Sequence, residues 1–282
     1  MVIDIHTHIF PPEVIAQRER FFENEPEFRL LYGPQKSKMA SAESLLDSMD
    51  ANGVDRSVTF GFPWHSPDLR ARHNDYVLES AAKYPSRLIA LACLDLLSDS
   101  CIEDAAAWQK DGAAGFGELA VYAAGSRNDL AIRNFRLLGD LCRQSGLVLL
   151  AHANEPIGHN YPGKAPFGLD FYYSMAEAAQ GVPLILAHWG GGLLFYELLK
   201  KDAPEKLANV FYDTAASPYL YKSEIYTAAV SIVGKDKILF GSDYPLIGPK
   251  RYFEEIRASG LSEPQVRAVL GRNAARIFGL TG

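Results

Sequence analysis

The sequence predicts an α/β protein built as a single (β/α)8 TIM barrel over residues 1–282, with an insertion after the first strand. Three observations point there. Short apolar runs alternate with helix-like segments along the whole chain, the pattern of repeated strand and helix units. The runs are rich in Leu, Ile, Val and Ala without clean alternation, as parallel strands buried on both faces are. Runs also end in residues able to bind a metal: Val2-Ile-Asp-Ile-His6-Thr-His8, Gly115-Phe-Gly-Glu118, Leu147-Val-Leu-Leu-Ala-His152, Leu184-Ile-Leu-Ala-His188 and Ile238-Leu-Phe-Gly-Ser-Asp243. A barrel builds its site at the C-terminal ends of its strands, where these residues fall.

The first strand is Val2 to His8, and Ile9 to about Lys38 follows as an irregular insertion with Pro11-Pro12, aromatics and charges, placed to cover a site at that strand's end. Ser41 caps a helix to Asn52 with an apolar seam at Leu45, Leu46 and Met49 and a stop at Gly53. The second strand, Val54 to Phe60, runs into Gly61-Phe-Pro-Trp64-His65-Ser-Pro67, whose turn formers bring Trp64 and His65 to the same rim as a substrate-pocket wall. A helix from Asp68 to Tyr84 stops before Pro85, and Arg87 to Leu94 is the third strand. Cys93, near its end, has no neighbour that would lower its pKa and reads as a structural thiol. The rhythm then repeats: helix Ile102 to Lys110, fourth strand Gly112 to Leu119, helix Leu130 to Ser145, fifth strand Leu147 to His152. The last three strands are Val182 to His188, Val210 to Thr214 and Lys237 to Asp243, with helices near Ser174 to Gln180, Gly192 to Lys201, Ser223 to Val233 and Tyr252 to Ala258. Glu263 to Leu280 closes as a helix pair or one broken helix, and no linker or repeat marks a second domain.

Composition narrows the function classes. With 48% hydrophobic and 22% charged residues, neither disorder nor a fibrous design fits. A net charge of −6 without a basic run argues against nucleic acid, whose phosphates need Lys and Arg. No apolar run approaches the roughly 20 residues of a membrane span and no signal-type leader precedes the first strand, so a soluble cytoplasmic protein without a membrane partner is expected. Cys93, Cys101 and Cys142 lack the close spacing of a zinc or redox motif and suit a reducing compartment. A small-molecule substrate is the partner left, and the chain is compatible with a homodimer.

His6 and His8 stand at i and i+2, a spacing that turns both imidazoles to one face of a strand, where they can share a metal. His152 and His188, at the ends of successive strands, converge on the barrel axis where that pair points. Asp243 ends the last strand, beside the first in a closed barrel, and can touch the same ion. Asp4 shares the direction of His6 and His8 by simple alternation but lies deeper and is left out of the ligand set. The donors are nitrogen and oxygen, the chemistry of a divalent cation.

These residues carry a family likeness. Asp4-Ile-His6-Thr-His8-Ile-Phe-Pro, Leu-Ala-His152, Ala-His188-Trp-Gly-Gly-Gly and Phe-Gly-Ser-Asp243-Tyr-Pro together resemble the amidohydrolase superfamily, in the branch that also holds the aminocarboxymuconate-semialdehyde decarboxylase-like proteins. The likeness extends through Lys83-Tyr-Pro-Ser-Arg87-Leu-Ile-Ala-Leu to the closing Gly271-Arg-Asn273-Ala-Ala-Arg-Ile-Phe-Gly-Leu. It implies that His6, His8, His152 and Asp243 hold a divalent metal, usually zinc, with His188 as ligand of a second ion or a proton shuttle. Two positions depart from the decarboxylase pattern: Asp47 stands where it has a basic residue, and Glu118 stands where it has no carboxylate but several two-metal hydrolases do.

The reaction expected is metal-assisted hydrolysis of a small ester, lactone or amide, in which the metal lowers the pKa of water from ~15.7 towards ~7. Asp243 would take the water's proton, and His188 would stabilise the oxyanion or protonate the leaving group. The polar loop Asn154 to Lys164 is assigned to substrate binding through His159, Tyr161 and Lys164. The alternative is non-oxidative decarboxylation or hydration on the same metal, with Lys164, Arg70 and Arg72 as cations for a substrate carboxylate. A barrel that only bound metal would not require Asp243 as a base. With two ions ~3.5 to 4 Å apart, His6 and His8 would hold one, His152 and His188 the other, and Glu118 would bridge them.

Overall fold

In the computed structural model, which describes residues 1–122 and 128–280, eight parallel strands form a barrel. One ladder holds β1 (Ile3–His8), β2 (Arg56–Phe60) and β3 (Leu88–Ala90); a second holds β4 (Gly115–Leu119), β5 (Val148–Ala151), β6 (Leu184–Leu186), β7 (Val210–Asp213) and β8 (Ile238–Leu239). Backbone hydrogen bonds join both seams. Between β3 and β4, Ala114 N donates to Ala90 O at 2.9 Å and Gly117 N to Ala92 O at 3.0 Å. Between the end of β8 and β1, Ile5 N donates to Phe240 O and Asp243 N to His6 O, both at 2.9 Å. This second seam lays Asp243 against His6 from opposite ends of the chain. It also explains why β8 is shorter than Lys237 to Asp243: beyond Leu239 the chain leaves β7 and bonds to β1 instead.

Side chains divide by strand face. Val58, Phe60, Ile89, Leu91, Val148, Leu150, Ile185 and Leu239 fill the barrel interior, while the alternate Leu149, Leu184, Leu186, Val210 and Ile238 meet the surrounding helices. Those helices follow local signals where the signals exist. Ser41 accepts a hydrogen bond from Ser44 N and Gly53 (φ 69°) closes the helix Ala42–Asn52 in the left-handed region, as its sequence predicts. Two helices differ from expectation. Leu169–Ala178 starts a turn before Ser174, because Phe171, Tyr172 and Met175 form its buried seam. After β6 a 3₁₀ segment, His188–Phe195, precedes only a short helix, Tyr196–Leu199, in place of a helix from Gly192. The tail is one broken helix, with a π segment at Ala268–Arg272. No described helix is long and apolar enough to cross a membrane.

The insertion is more ordered than its irregular sequence suggests. Helices Pro12–Ala16 and Pro26–Tyr32 flank a 3₁₀ turn, Arg18–Phe21, and each opens on a proline, whose missing N–H costs nothing in a first turn. Phe10, Val14 and Phe28 bury against Phe62 and Trp64 in a core of their own. Buried Glu25 then accepts hydrogen bonds from His65 N at 2.9 Å and Ser66 N at 2.7 Å, at the start of the helix Pro67–Lys83. A carboxylate at a helix N-terminus is favourably placed, so this latch ties the insertion to the loop after β2.

Candidate metal centre

Strand geometry brings the donors together. Along β5, Val148 and Leu150 face the interior, and the period of two carries His152 there as well. β4 shifts register between Phe116 and Leu119, and that irregularity lets Glu118 face inward although Phe116 packs outward. Gly241 admits the His6 ring, since a Cβ there would lie 2.8 Å from His6 Cβ. His188 is aimed by a run of left-handed residues, His188 (φ 55°) through Gly192 (φ 94°), in which a Cβ on Gly191 would lie 2.2 Å from Asn154 O.

The six expected donors form one cluster. His6, His8 and Glu118, then His6, His188 and Asp243, then Glu118, His152 and His188 each offer ligand atoms within 4.8 Å of one another. His8 Nε2 and His6 Nε2 lie 3.4 and 3.6 Å from Asp243 Oδ1, and 3.8 and 3.9 Å from the Glu118 oxygens. His188 Nε2 lies 3.8 Å from Glu118 Oε1, and His152 Nδ1 only 2.8 Å from it. Gaps of 3.4–3.9 Å are mostly too long for hydrogen bonds and match the spans between ligands on an ion with bonds of about 2.1 Å.

Hydrogen bonding on the far side of three of the four rings settles which nitrogen faces the centre. His6 Nδ1 meets Asp213 Oδ2 at 2.8 Å, His8 Nδ1 meets Gly61 O at 3.3 Å and His188 Nδ1 meets Ala215 O at 3.0 Å. All three partners only accept, so each Nδ1 carries the proton and each Nε2 turns a lone pair inward. Metal-binding histidines are oriented in this way. His6 Nε2 and His152 Nε2 are moreover buried without any partner, an expensive state for an imidazole nitrogen. The donor set therefore fits a divalent cation.

Electrostatics agrees. Burial works against charge on His6, but the Asp213 and Glu118 carboxylates outweigh it and lift its pKa to about 10. Burial would raise the Asp243 pKa, yet His8, His6 and His188 bring it down to about 2. Glu118 is likewise lowered against its burial, chiefly by His152 and His6. Burial and the neighbouring His152 instead lower His188, keeping it neutral. The centre is a negative pocket whose compensating charges are protons on imidazoles, and a cation competes for the same lone pairs.

Two carboxylates support the cluster without belonging to the predicted set. Asp213, missed in the sequence, fixes His6 with one oxygen and with the other accepts from His188 N at 2.8 Å and Ala215 N at 2.9 Å. Its signal was present: Val210-Phe-Tyr-Asp213 is another apolar run with a polar strand end. Asp4 accepts from Ser242 N at 2.9 Å and His6 N at 3.2 Å, so it ties β1 to the end of β8, and burial pushes its pKa up to about 7.

The expected substrate-binding residues are less convergent. Trp64 is not a pocket wall: it is 1% exposed, packs on Phe28 with ring centroids 4.2 Å apart and donates to His73 Nδ1 at 2.8 Å. His65 is exposed, pairs with Glu27 at 2.6 Å and lines a small cleft with Glu27, Asp95, Leu97, Val121 and Tyr122. In the loop after β5, Tyr161 donates to Glu155 at 2.9 Å, and Lys164 donates to Ile157 O at 2.9 Å and lies 3.5 Å from Glu155. His159 is exposed beside Tyr161, so this loop's polar groups serve one another. Arg70 is buried on Trp64 O at 2.8 Å and Arg72 pairs with Glu13, leaving neither at the centre. Cys93 is structural, its thiol on Gly117 O at 3.2 Å and its pKa pushed up by burial to about 12.

A family model for amidohydrolases matches residues 3–280. The chain belongs to the amidohydrolase family. No curated protein matches it at a significant level. Among solved structures, this amidohydrolase is similar to the 5-carboxyvanillate decarboxylase LigW of Sphingomonas paucimobilis, at 18% identity and TM-score 0.75, covering 99% of each chain. It is similar to the 5-carboxyvanillate decarboxylase of Novosphingobium aromaticivorans complexed with manganese and 4-hydroxy-3-methoxy-5-nitrobenzoic acid, at 15% identity and TM-score 0.75, covering 99% of this chain and 96% of that one. A putative 2-pyrone-4,6-dicarboxylic acid hydrolase of Pseudomonas putida follows at 15% identity and TM-score 0.67, covering 100% and 98%. At such identities these likenesses show the fold.

Proposed function

We propose that this amidohydrolase-family enzyme is a metal-dependent decarboxylase of a small carboxylated aromatic, acting as one catalytic domain over residues 1–282. The observation that carries the metal is the convergence of three Nε2 lone pairs, each fixed by an acceptor on Nδ1, upon Glu118 and Asp243. His6, His8, His152, Asp243 and Glu118 would hold the ion. The nitrogen-rich set suits zinc, and manganese is the second ion to test because a similar decarboxylase binds it. Decarboxylation is preferred because two of the similar structures are decarboxylases across nearly their whole length.

A bound divalent cation would supply charge compensation and Lewis-acid polarisation at the substrate's oxygens. It would also stand in for the expected cationic side chains, since Arg70, Arg72 and Lys164 are each committed to other partners. Asp243, held ionised, can receive a proton from the substrate or solvent. His188, neutral with the Nε2 lone pair inward, can accept at Nε2 the proton that Asp243 has received and pass it to the substrate carbon. The bond from that carbon to the carboxylate breaks, its electron pair remains on the carbon and takes the proton, and carbon dioxide leaves. The test is carbon dioxide release from hydroxybenzoates by metal-reconstituted protein, expected to stop with a chelator and resume on adding metal. Metal-loaded protein that releases none from any carboxylated aromatic would refute the proposal. Hydrolysis is the second reading, favoured by Glu118 inside the cluster, and turnover of a lactone without carbon dioxide would establish it.

A further inference from the structure

Two phenols that neither strand ends nor motifs pick out stand at the mouth of the centre. Tyr122, just beyond β4, packs on the His152 ring with centroids 5.6 Å apart and also lines the cleft that His65 and Glu27 share. Tyr32 ends the insertion's helix Pro26–Tyr32, and its ring is set by Phe10 at 4.9 Å, Phe28 at 5.1 Å and Phe62 at 5.9 Å. Its backbone is held too: Arg18 donates to Tyr32 O at 3.3 Å and to Ser37 O at 2.9 Å, and the Glu25 latch anchors the start of the same helix.

Both rings stand beside the donors: Tyr122 against His152, and Tyr32 against Phe10 and Phe62, which follow His8 and its partner Gly61 in the chain. Tyr32 is close enough to Asp243 and Glu118 to feel their charge, and Tyr122 feels Glu118, Tyr32 and Asp243. A phenol keeps its proton at neutral pH, so each is an O–H donor. Among the described residues no hydrogen bond engages either hydroxyl. Tyr252 and Tyr161 reach acceptors, on Ser242 O at 2.8 Å and Glu155 at 2.9 Å, whereas the hydroxyls of Tyr212 and Tyr226 are buried without one but lie away from the donors, among core side chains. A donor without an acceptor beside a donor cluster is a recognition group for a ligand oxygen, and Tyr122 also stands at the edge of a cleft.

We infer that Tyr32 and Tyr122 form the second recognition point for the substrate: while its carboxylate sits at the donor cluster, another oxygen of the same small molecule accepts hydrogen bonds from these two phenols. The inference rests on the metal-centre reading and deepens it by naming the residues that choose among carboxylated substrates. The insertion thereby contributes a specificity residue, Tyr32, besides covering the site.

The test is equilibrium binding to metal-reconstituted protein, comparing benzoate with 3-hydroxy-, 4-hydroxy- and 3-methoxybenzoate in the native chain, Tyr32→Phe, Tyr122→Phe and the double variant. The native protein should bind at least one oxygenated benzoate about tenfold more tightly than benzoate, the worth of one or two good hydrogen bonds. The substitutions should abolish that preference and leave benzoate affinity, metal content and thermal midpoint unchanged. A preference that survives in the double variant, an equal weakening of all four ligands, or no discrimination or binding by the native protein would overturn the inference. The two readings fail separately. Discrimination lost in the variants without carbon dioxide release would remove decarboxylation and keep the phenol subsite, and turnover indifferent to both phenols would do the reverse.

Discussion

Asp213→Asn isolates the orientation of His6 from its presence. The native carboxylate gives Oδ1 to two backbone donors, His188 N and Ala215 N, and Oδ2 to His6 Nδ1. Asparagine has one acceptor, which the two backbone N–H groups will claim, so its NH₂ meets His6 Nδ1. The imidazole must then accept at Nδ1 and carry its proton on Nε2, the nitrogen 3.6 Å from Asp243 that should bind the metal. Loss of such an orienting partner costs roughly 10- to 100-fold in metal affinity, or about 1.4 to 2.7 kcal/mol, without removing a ligand. Competition against a chromogenic chelator at neutral pH measures it, and the metal-induced rise in thermal midpoint should shrink in parallel. Native-like affinity in Asp213→Asn would show that Asp213 does not set the tautomer, and the inward lone pair of His6 would lose its support.

His6→Ala and His8→Ala should each remove metal and activity together, read by metal analysis and turnover, because each deletes a ligand from a small set. Asp243→Asn should retain part of the metal through its oxygen but lose roughly 10²- to 10⁴-fold in rate, the usual worth of a general base; near-native turnover would remove that role. In Glu118→Gln, two metal equivalents falling to one would establish a bridge, and one equivalent in both proteins would leave Glu118 as a ligand or proton-handling group of a single ion. Stability should also depend on His73, whose Nδ1 accepts from Phe62 N and Trp64 Nε1 while Nε2–H donates to Ile9 O. Burial lowers its pKa from 6.5 to about 4, so its contribution is complete above pH 6.5 and fades as the unfolded chain takes up a proton on acidification. The loss should approach about 3 kcal/mol near pH 4, and urea unfolding against pH should show a shallower fall in His73→Gln.

The barrel and most of its centre were legible in the sequence because strand chemistry is local. An apolar run with a polar end needs only a period of two and a C-terminal rim to place His6, His8, His152, His188 and Asp243 together, and the likeness of their motifs added the metal. Asp213 was legible by the same rule and overlooked. What the sequence could not decide is which polar groups face inward where the backbone departs from regular geometry. The register shift in β4 admits Glu118, left-handed residues aim His188, and the seam between β1 and β8 joins residues from the two ends of the chain. Loop residues depend still more on tertiary partners. Trp64 and Tyr32 are both aromatics in covering segments, but the satellite core buries the indole of one against His73 and leaves the ring of the other half-buried among Phe10, Phe28 and Phe62. No local pattern separates them, because the choice is made by how the whole insertion packs on the loop after β2.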